Sequence, residues 1–229
     1  MPEKRFFLET PFEKGAFVQL IEEEFHHLRV MRAEKGEIVE LINGKNQLAL
    51  AHLKELTKKS ANFTLIDVTT SSPPSRRLIL AQSCLRPKNL ELVIEKGTEL
   101  GTTEFWIFPG ERGGKDHLSS NQLHRLHLII ISAMKQCGRL DLPTLQLSPP
   151  LLEWKESPSP TAFFGDLHSQ TPLSSTLSDV TIFIGPEKGL SESEHAYLDN
   201  ILKVKGIRLN PHILRAETAA ICALSIINN

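Results

Sequence analysis

The chain has 229 residues, 40% hydrophobic and 23% charged, with 26 Lys+Arg against 27 Asp+Glu. That length and mixture exclude wholesale disorder and collagen-like or coiled-coil fibres, and leave room for one large domain or a small plus a medium one. The formal net charge of −1, nearly balanced on both sides of Pro73, excludes a polyelectrolyte coat for nucleic acid but not a local basic cluster. In chain order, the N-terminus shows no extended apolar core or small-residue cleavage site, so no signal peptide is expected. A short helical stretch over 22–30 carries His26-His27. A strand over 38–42 meets Asn43-Gly44, a strong hairpin signal, and the return strand runs over 47–53. Another strand follows over 61–68. Short strands and turns at this spacing predict a small β-rich barrel.

Thr69-Thr-Ser-Ser-Pro-Pro-Ser75 then breaks the pattern, because two prolines among small hydroxyl residues continue neither strand nor helix. Beyond it the rhythm changes. A buried strand over 78–83 precedes a helix over 88–100 that stops at Gly101. A strand over 104–109 precedes a long helix over 119–137, with Leu123, Leu126, Ile130, Ala133 and Cys137 on one stripe and Gly138 as a stop. Short apolar strands follow over 161–164 and 181–184, and a last helix runs over 214–227. Strands alternating with helices predict a parallel α/β sheet. No apolar run approaches the roughly 20 residues that span a bilayer. Cys84, Cys137 and Cys222 lie far apart with no C-x-x-C, which reads as reduced, cytoplasmic thiols.

Several chemistries lack their motifs. No G-x-G-x-x-G, no P-loop and no G-x-S-x-G elbow follows a strand. His124 and His127 form a helical pair without a third ligand, which reads as a surface pair and not a metal site. Two segments stand out. In Thr181-Ile-Phe-Ile-Gly-Pro-Glu-Lys-Gly-Leu-Ser-Glu-Ser-Glu194 a buried strand ends in Gly185-Pro186, and Ser191 and Glu194 stand at capping-box spacing. Ligands bind at the carboxyl ends of strands in open α/β sheets, and glycines there admit close backbone approach. By itself the segment reads equally as a binding loop or an ordinary βα turn. In Ile207-Arg-Leu-Asn-Pro-His-Ile-Leu-Arg-Ala-Glu-Thr-Ala-Ala220, Glu217 suits the start of a helix but Arg215 lies near its positive end. An anionic or polar ligand would resolve that conflict.

Residues 96–101, 136–139, 184–189 and 209–219, in this order, resemble the bacterial 16S rRNA uracil-N3 methyltransferases, the RsmE-type branch of the SPOUT superfamily. The resemblance covers nearly the whole chain, and His27-Leu-Arg-Val-Met-Arg32 with the Gly36 turn resembles that family's N-terminal domain. It implies an α/β protein with a PUA-like RNA-binding β-barrel over 1–72 and a SPOUT methyltransferase domain with a trefoil knot over 73–229. It implies a homodimer, S-adenosyl-L-methionine as cofactor, and 16S rRNA or the small ribosomal subunit as partner, with no membrane. Carried over, Leu167, Gly185, Glu187, Gly189, Leu209, Asn210, Ile213 and Leu214 would hold the cofactor. The chain departs from the family at Lys188, a usual glycine that would be strained if its φ were positive. It departs also at Asn210 (usually Gly), Lys135 (usually Glu) and Ala216 (usually Thr).

Uracil N3 is protonated at neutral pH, so a site must position it, deprotonate it and stabilise the anion. The expected roles are Glu217 as proton acceptor, Arg139 and Arg215 beside the anion, and Arg112 behind them. Arg29, Arg32 and Lys35 form a short basic cluster for RNA phosphates, or else a solvated face. Two rival readings remain: a methyltransferase of the same superfamily acting on a ribose 2′-OH, and a non-catalytic RNA-binding or ribosome-assembly factor.

Overall fold

The computed structural model describes residues 4–113 and 118–228. The chain divides into two compact units: Met1–Ser75 with Met134–Leu142, and Arg76–Ala133 with Pro143–Asn229.

In the first unit β1 (Arg5–Phe7), β2 (Phe17–Ile21), β3 (Ile38–Ile42), β4 (Gln47–Leu56) and β5 (Ser60–Thr70) form one sheet in the order β1-β3-β4-β5-β2. β1 pairs parallel to β3, and the other pairs are antiparallel. The inward positions alternate: Ala49, Ala51 and Leu53 on β4, Ala61, Phe63 and Leu65 on β5. Register shifts in the β4–β5 pair curl the sheet around this core. The Asn43-Gly44 turn closes β3 onto β4, with Gly44 at φ +72 and the Asn43 Oδ1 accepting from the N–H groups of Lys45 and Gln47.

Between β2 and β3, α1 (Glu22–Val30) buries Phe25 and Leu28 in the same core. It ends with Arg32 N–H on the Arg29 carbonyl and Ala33 N–H on the Leu28 carbonyl. That pattern needs a left-handed residue, usually glycine, and Arg32 takes it at φ +51. The Met134–Leu142 segment is fastened to this unit. Lys135 Nζ lies 2.5 Å from Glu24 Oε1 and 3.3 Å from His27 Nδ1, and the Asn46 N–H donates to the Leu140 carbonyl. No linker signal marks that segment, and Glu24 explains why a lysine suits position 135. Burial first, then Lys135, lowers the His27 pKa.

In the second unit β6 (Leu78–Ser83), β7 (Glu104–Phe108), β8 (Thr144–Leu147), β9 (Thr161–Gly165), β10 (Val180–Ile184) and β11 (Lys205–Ile207) form an all-parallel sheet, β11-β9-β10-β6-β7-β8. β6 and β10 are buried at every position, as strands covered on both faces must be. The connecting helices are α2 (Pro87–Glu99), α3 (Ser120–Cys137), α4 (Glu192–Asn200) and α5 (Ala216–Ile227). Leu126, Ile130 and Ala133 of α3 are buried, whereas Cys137, placed on the same stripe by spacing, is exposed. Trp154 packs its ring against Trp106, Phe108 and Phe183 at 5.4–5.9 Å. Strand order reverses between β6 and β10, the kind of point outside which α/β sheets bind ligands. No helix among the described residues is long and apolar enough to cross a membrane.

Candidate functional site

Three chain segments leave the carboxyl ends of β9, β10 and β11 and enclose a cavity of about 280 Å³. The first, after β10, is a tight return. A Cβ on Gly185 would stand 2.9 Å from the Leu190 backbone nitrogen, so only glycine lets residues 185–190 fold back on themselves. Gly189 closes the turn, its N–H on the Pro186 carbonyl at 2.8 Å and its φ at +75. Positive φ therefore falls on Gly189, and Lys188 is not among the positive-φ residues. The strain considered for a lysine at 188 does not arise.

The second segment is 208–214. Asn210 Oδ1 accepts from the His212 N–H at 3.0 Å, a side-chain turn that Asn makes without positive φ. The third is Gly165, Asp166 and Leu167 at the end of β9. All eight residues expected to hold the cofactor line this one cavity: Leu167, Gly185, Glu187, Gly189, Leu209, Asn210, Ile213 and Leu214. Leu167 and Ile213 are 63% and 80% exposed, apolar groups on the cavity wall and outside the core.

Glu187 does two things at once. Its backbone lines the turn, while its Oε1 accepts from the Arg86 N–H at 2.9 Å and lies 3.4 Å from Asn89 Nδ2, at the start of α2. Burial alone would raise its pKa; the backbone N–H groups of Arg86 and Glu187 and the Asn89 amide hold it below the ordinary carboxylate value.

The helix after the first segment is fully capped. Ser191 Oγ accepts from Glu194 N–H while Glu194 Oε2 accepts from Ser191 N–H. Glu111, just after β7, adds to it: both the Ser191 and Ser193 hydroxyls donate to its Oε2, and its own N–H reaches Glu194 Oε1 at 3.0 Å. A Cβ on Gly110 would collide with Ser83 Oγ and approach Pro186 at 3.3 Å. Residues 109–112 are thus welded to the cavity turn, and Arg112 stands exposed at their end.

The expected catalytic residues fall in two places. Arg215 is the N-cap of α5, without a side-chain cap. Glu217, in the first turn, is 8% exposed, and among the described residues its Oε2 has no hydrogen-bond partner. Ala216 and Ala219 of that helix line the cavity. Arg139 groups with the first unit, where its guanidinium donates to both Asp141 oxygens at 2.9 and 2.5 Å. Arg29, Arg32 and Lys35 are each exposed at or just past the end of α1.

Asp166, Arg208 and His212 also line the cavity, and reading the chain by itself does not single them out. Asp166 follows directly on a strand end, which is the signal that could have found it. The Glu111 network has no local signal, since its partners lie about 80 residues away in the chain.

A family model described as RNA methyltransferase domain matches residues 72–228, and one described as RNA methyltransferase PUA domain matches 20–66. The ribosomal RNA small subunit methyltransferase E of Rickettsia conorii is 27% identical, covering 98% of this chain and 95% of its own length. That of Bacillus subtilis is 26% identical, with 98% and 96% covered. The crystal structure of a ribosomal RNA small subunit methyltransferase E from Neisseria gonorrhoeae, bound to S-adenosyl methionine, matches with a TM-score of 0.88. It is 25% identical over 98% of this chain and 95% of that chain.

Proposed function

This chain belongs to the RNA methyltransferase family, and we propose that it methylates N3 of a uridine in 16S rRNA, using S-adenosyl-L-methionine. One observation carries the reading: a glycine-folded cavity at the carboxyl ends of β9, β10 and β11 gathers the eight expected cofactor residues. The fit is good on this chain's own chemistry. Gly185 and Gly189 open a backbone-lined cradle, and Leu167, Leu209, Ile213 and Leu214 supply apolar walls for a flat purine. When bound, S-adenosyl-L-methionine supplies an electrophilic methyl group on a cationic sulfur.

The chain's residues do the rest. Glu217 is the proton acceptor for N3–H: its Oε2 is buried without a donor, so a ligand proton would satisfy an orphaned acceptor. Arg215, at the start of the same helix, faces the resulting negative charge at O2 or O4. Arg139, held by Asp141, and Arg112, exposed next to the bonded Glu111, are the further guanidinium groups of this reading. N3 lies on the pairing edge, so the target uridine is taken unstacked. The first unit, as an RNA-binding barrel over 1–72, engages phosphates with Arg29, Arg32 and Lys35; residues 73–229 form the catalytic domain. A knotted backbone, a homodimer and a cytoplasmic setting belong to the same reading, and the free state of all three cysteines supports the last.

The test is labelled-methyl transfer to unmethylated small ribosomal subunits, with nucleoside analysis of the product. N3-methyluridine is expected; a ribose 2′-O-methyl nucleoside would move the activity to the rival chemistry, and no transfer would remove the enzyme reading.

A further inference from the structure

β11 carries a glycine where its side chain would meet an acid. A Cβ on Gly206 would stand 2.9 Å from Asp166 Oδ2 and 3.1 Å from the Phe164 ring. The space is kept for the Asp166 carboxylate, whose side chain is only 14% exposed. Its Oδ1 accepts from the His168 N–H at 2.8 Å and faces His195 Nε2 at 3.4 Å. The His195 imidazole is itself set edge-on to Phe164 at 4.6 Å. Among the described residues Oδ2 has no hydrogen-bond donor, although Asp166 lines the cavity.

The other charges on the cavity wall have different engagements. Glu187 is spent on the start of α2. Arg208 reaches the Asn210 carbonyl and Gln170 Oε1, both at 3.4 Å, and Lys188 is the remaining cation. Of these two acids Glu187 is exposed and Asp166 is not, so Asp166 is the carboxylate on the cavity wall whose charge water screens least. The methyl donor and its demethylated product share adenosine, amine and carboxylate; they differ by one methyl group and one positive charge at sulfur. In a cavity of this size a carboxylate that is mostly buried acts on that charge with only part of the screening of bulk water.

We propose that Asp166 selects the cationic methyl donor over its neutral product, so that the spent cofactor leaves. This rests on the reading of the cavity as the S-adenosyl-L-methionine site. It makes Asp166 a specificity residue, with His195 and Gly206 placing it. Asp166→Asn keeps the size of the side chain and an acceptor for the His168 N–H, and removes the charge.

Calorimetric titration of the full chain with S-adenosyl-L-methionine and with S-adenosylhomocysteine tests this without turnover. The wild type binds the donor more tightly, and Asp166→Asn reduces the donor-to-product affinity ratio by about tenfold, the effect of one partly screened charge pair. An unchanged ratio overturns the proposal. So does an equal loss for both compounds, which would put Asp166 on a group they share. If the variant does not fold, the wild type decides: an analogue with a protonated amine in place of sulfur must bind more tightly than S-adenosylhomocysteine, and equal affinity overturns the proposal. A wild type that binds none of the three removes the cofactor reading itself.

Discussion

α4 and α5 both begin one step after a segment that lines the cavity, yet their first turns are built on opposite terms. α4 opens with a reciprocal Ser191–Glu194 box, and Glu111 adds a second carboxylate bonded to two hydroxyls. Glu194 and Glu111 both have donors there. α5 opens on Arg215 with no side-chain cap and buries Glu217 with one oxygen unpartnered. The first start is a fastening and follows the rules of local stability; the second breaks them where a substrate would complete the set. A broken rule beside a cavity is where chemistry is expected.

The sharpest way to break this contrast is Glu217→Gln. We expect kcat to fall on the order of a hundredfold or more, since general-base catalysis contributes about that much. Tm should hold or rise, because the variant removes a buried acid with an unmet oxygen. Full kcat with an unchanged pH profile would falsify the proton-acceptor role.

Gly185→Ala comes next. Its Cβ would press on the Leu190 backbone, so the turn must open; cofactor affinity measured by calorimetry should drop about tenfold or more. Unaltered binding would show that the turn does not shape the cofactor site.

Ser191→Ala tests the fastening side of the comparison. It should cost about 1–2 kcal/mol in denaturant unfolding, the usual loss for a helix cap, while kcat at saturating substrate stays near wild type. A large kcat loss without destabilisation would move Ser191 from the fastening to the chemistry.

A third helix end extends the comparison. Arg32 occupies a left-handed position at the end of α1 that glycine would hold more easily. Arg32→Gly should gain a little stability, up to about 1 kcal/mol. It should also make the slope of log binding constant against log salt shallower by about one in rRNA filter binding. An unchanged slope takes Arg32 off the phosphates.

The smallest effect expected is on pH. The hydroxyls of Ser191, then Ser193, hold the Glu111 carboxyl below its ordinary 4.5. A depressed folded pKa means stabilisation that is present above the unfolded value and is lost as pH falls through the folded one. The Tm gap between wild type and Ser193→Ala should therefore stay level from neutral pH to about pH 5 and narrow below it. A gap that widens on acidification would reverse the sign of this coupling.

Much of this architecture is legible along the chain. The prolines at 73 and 74, the apolar runs of β6, β7 and β10, and the Asn43-Gly44 hairpin each carry a local cause. β1, β8 and β11 escape such a reading because three or four residues show no period, and β2 because its exposed Phe17 and Ile21 hide the alternation. The cavity turns announce themselves by Gly185, Gly189 and the Asn210 turn. The acid at 166 does not, since its meaning depends on Gly206, 40 residues away on the neighbouring strand.

Glycines, prolines, caps and apolar periodicity act between neighbours in the chain, so the amino-acid order alone determined two kinds of domain, a parallel sheet after the break and a glycine turn at a strand end. Only the folded chain decided which acids are already satisfied. Glu111 and Glu187 find donors on distant segments, whereas among the described residues the Glu217 Oε2 is buried with no hydrogen-bond partner. Whether a carboxylate is a rivet or a reactive group depends on desolvation and on the donors within about 3 Å of it, and those are set by packing.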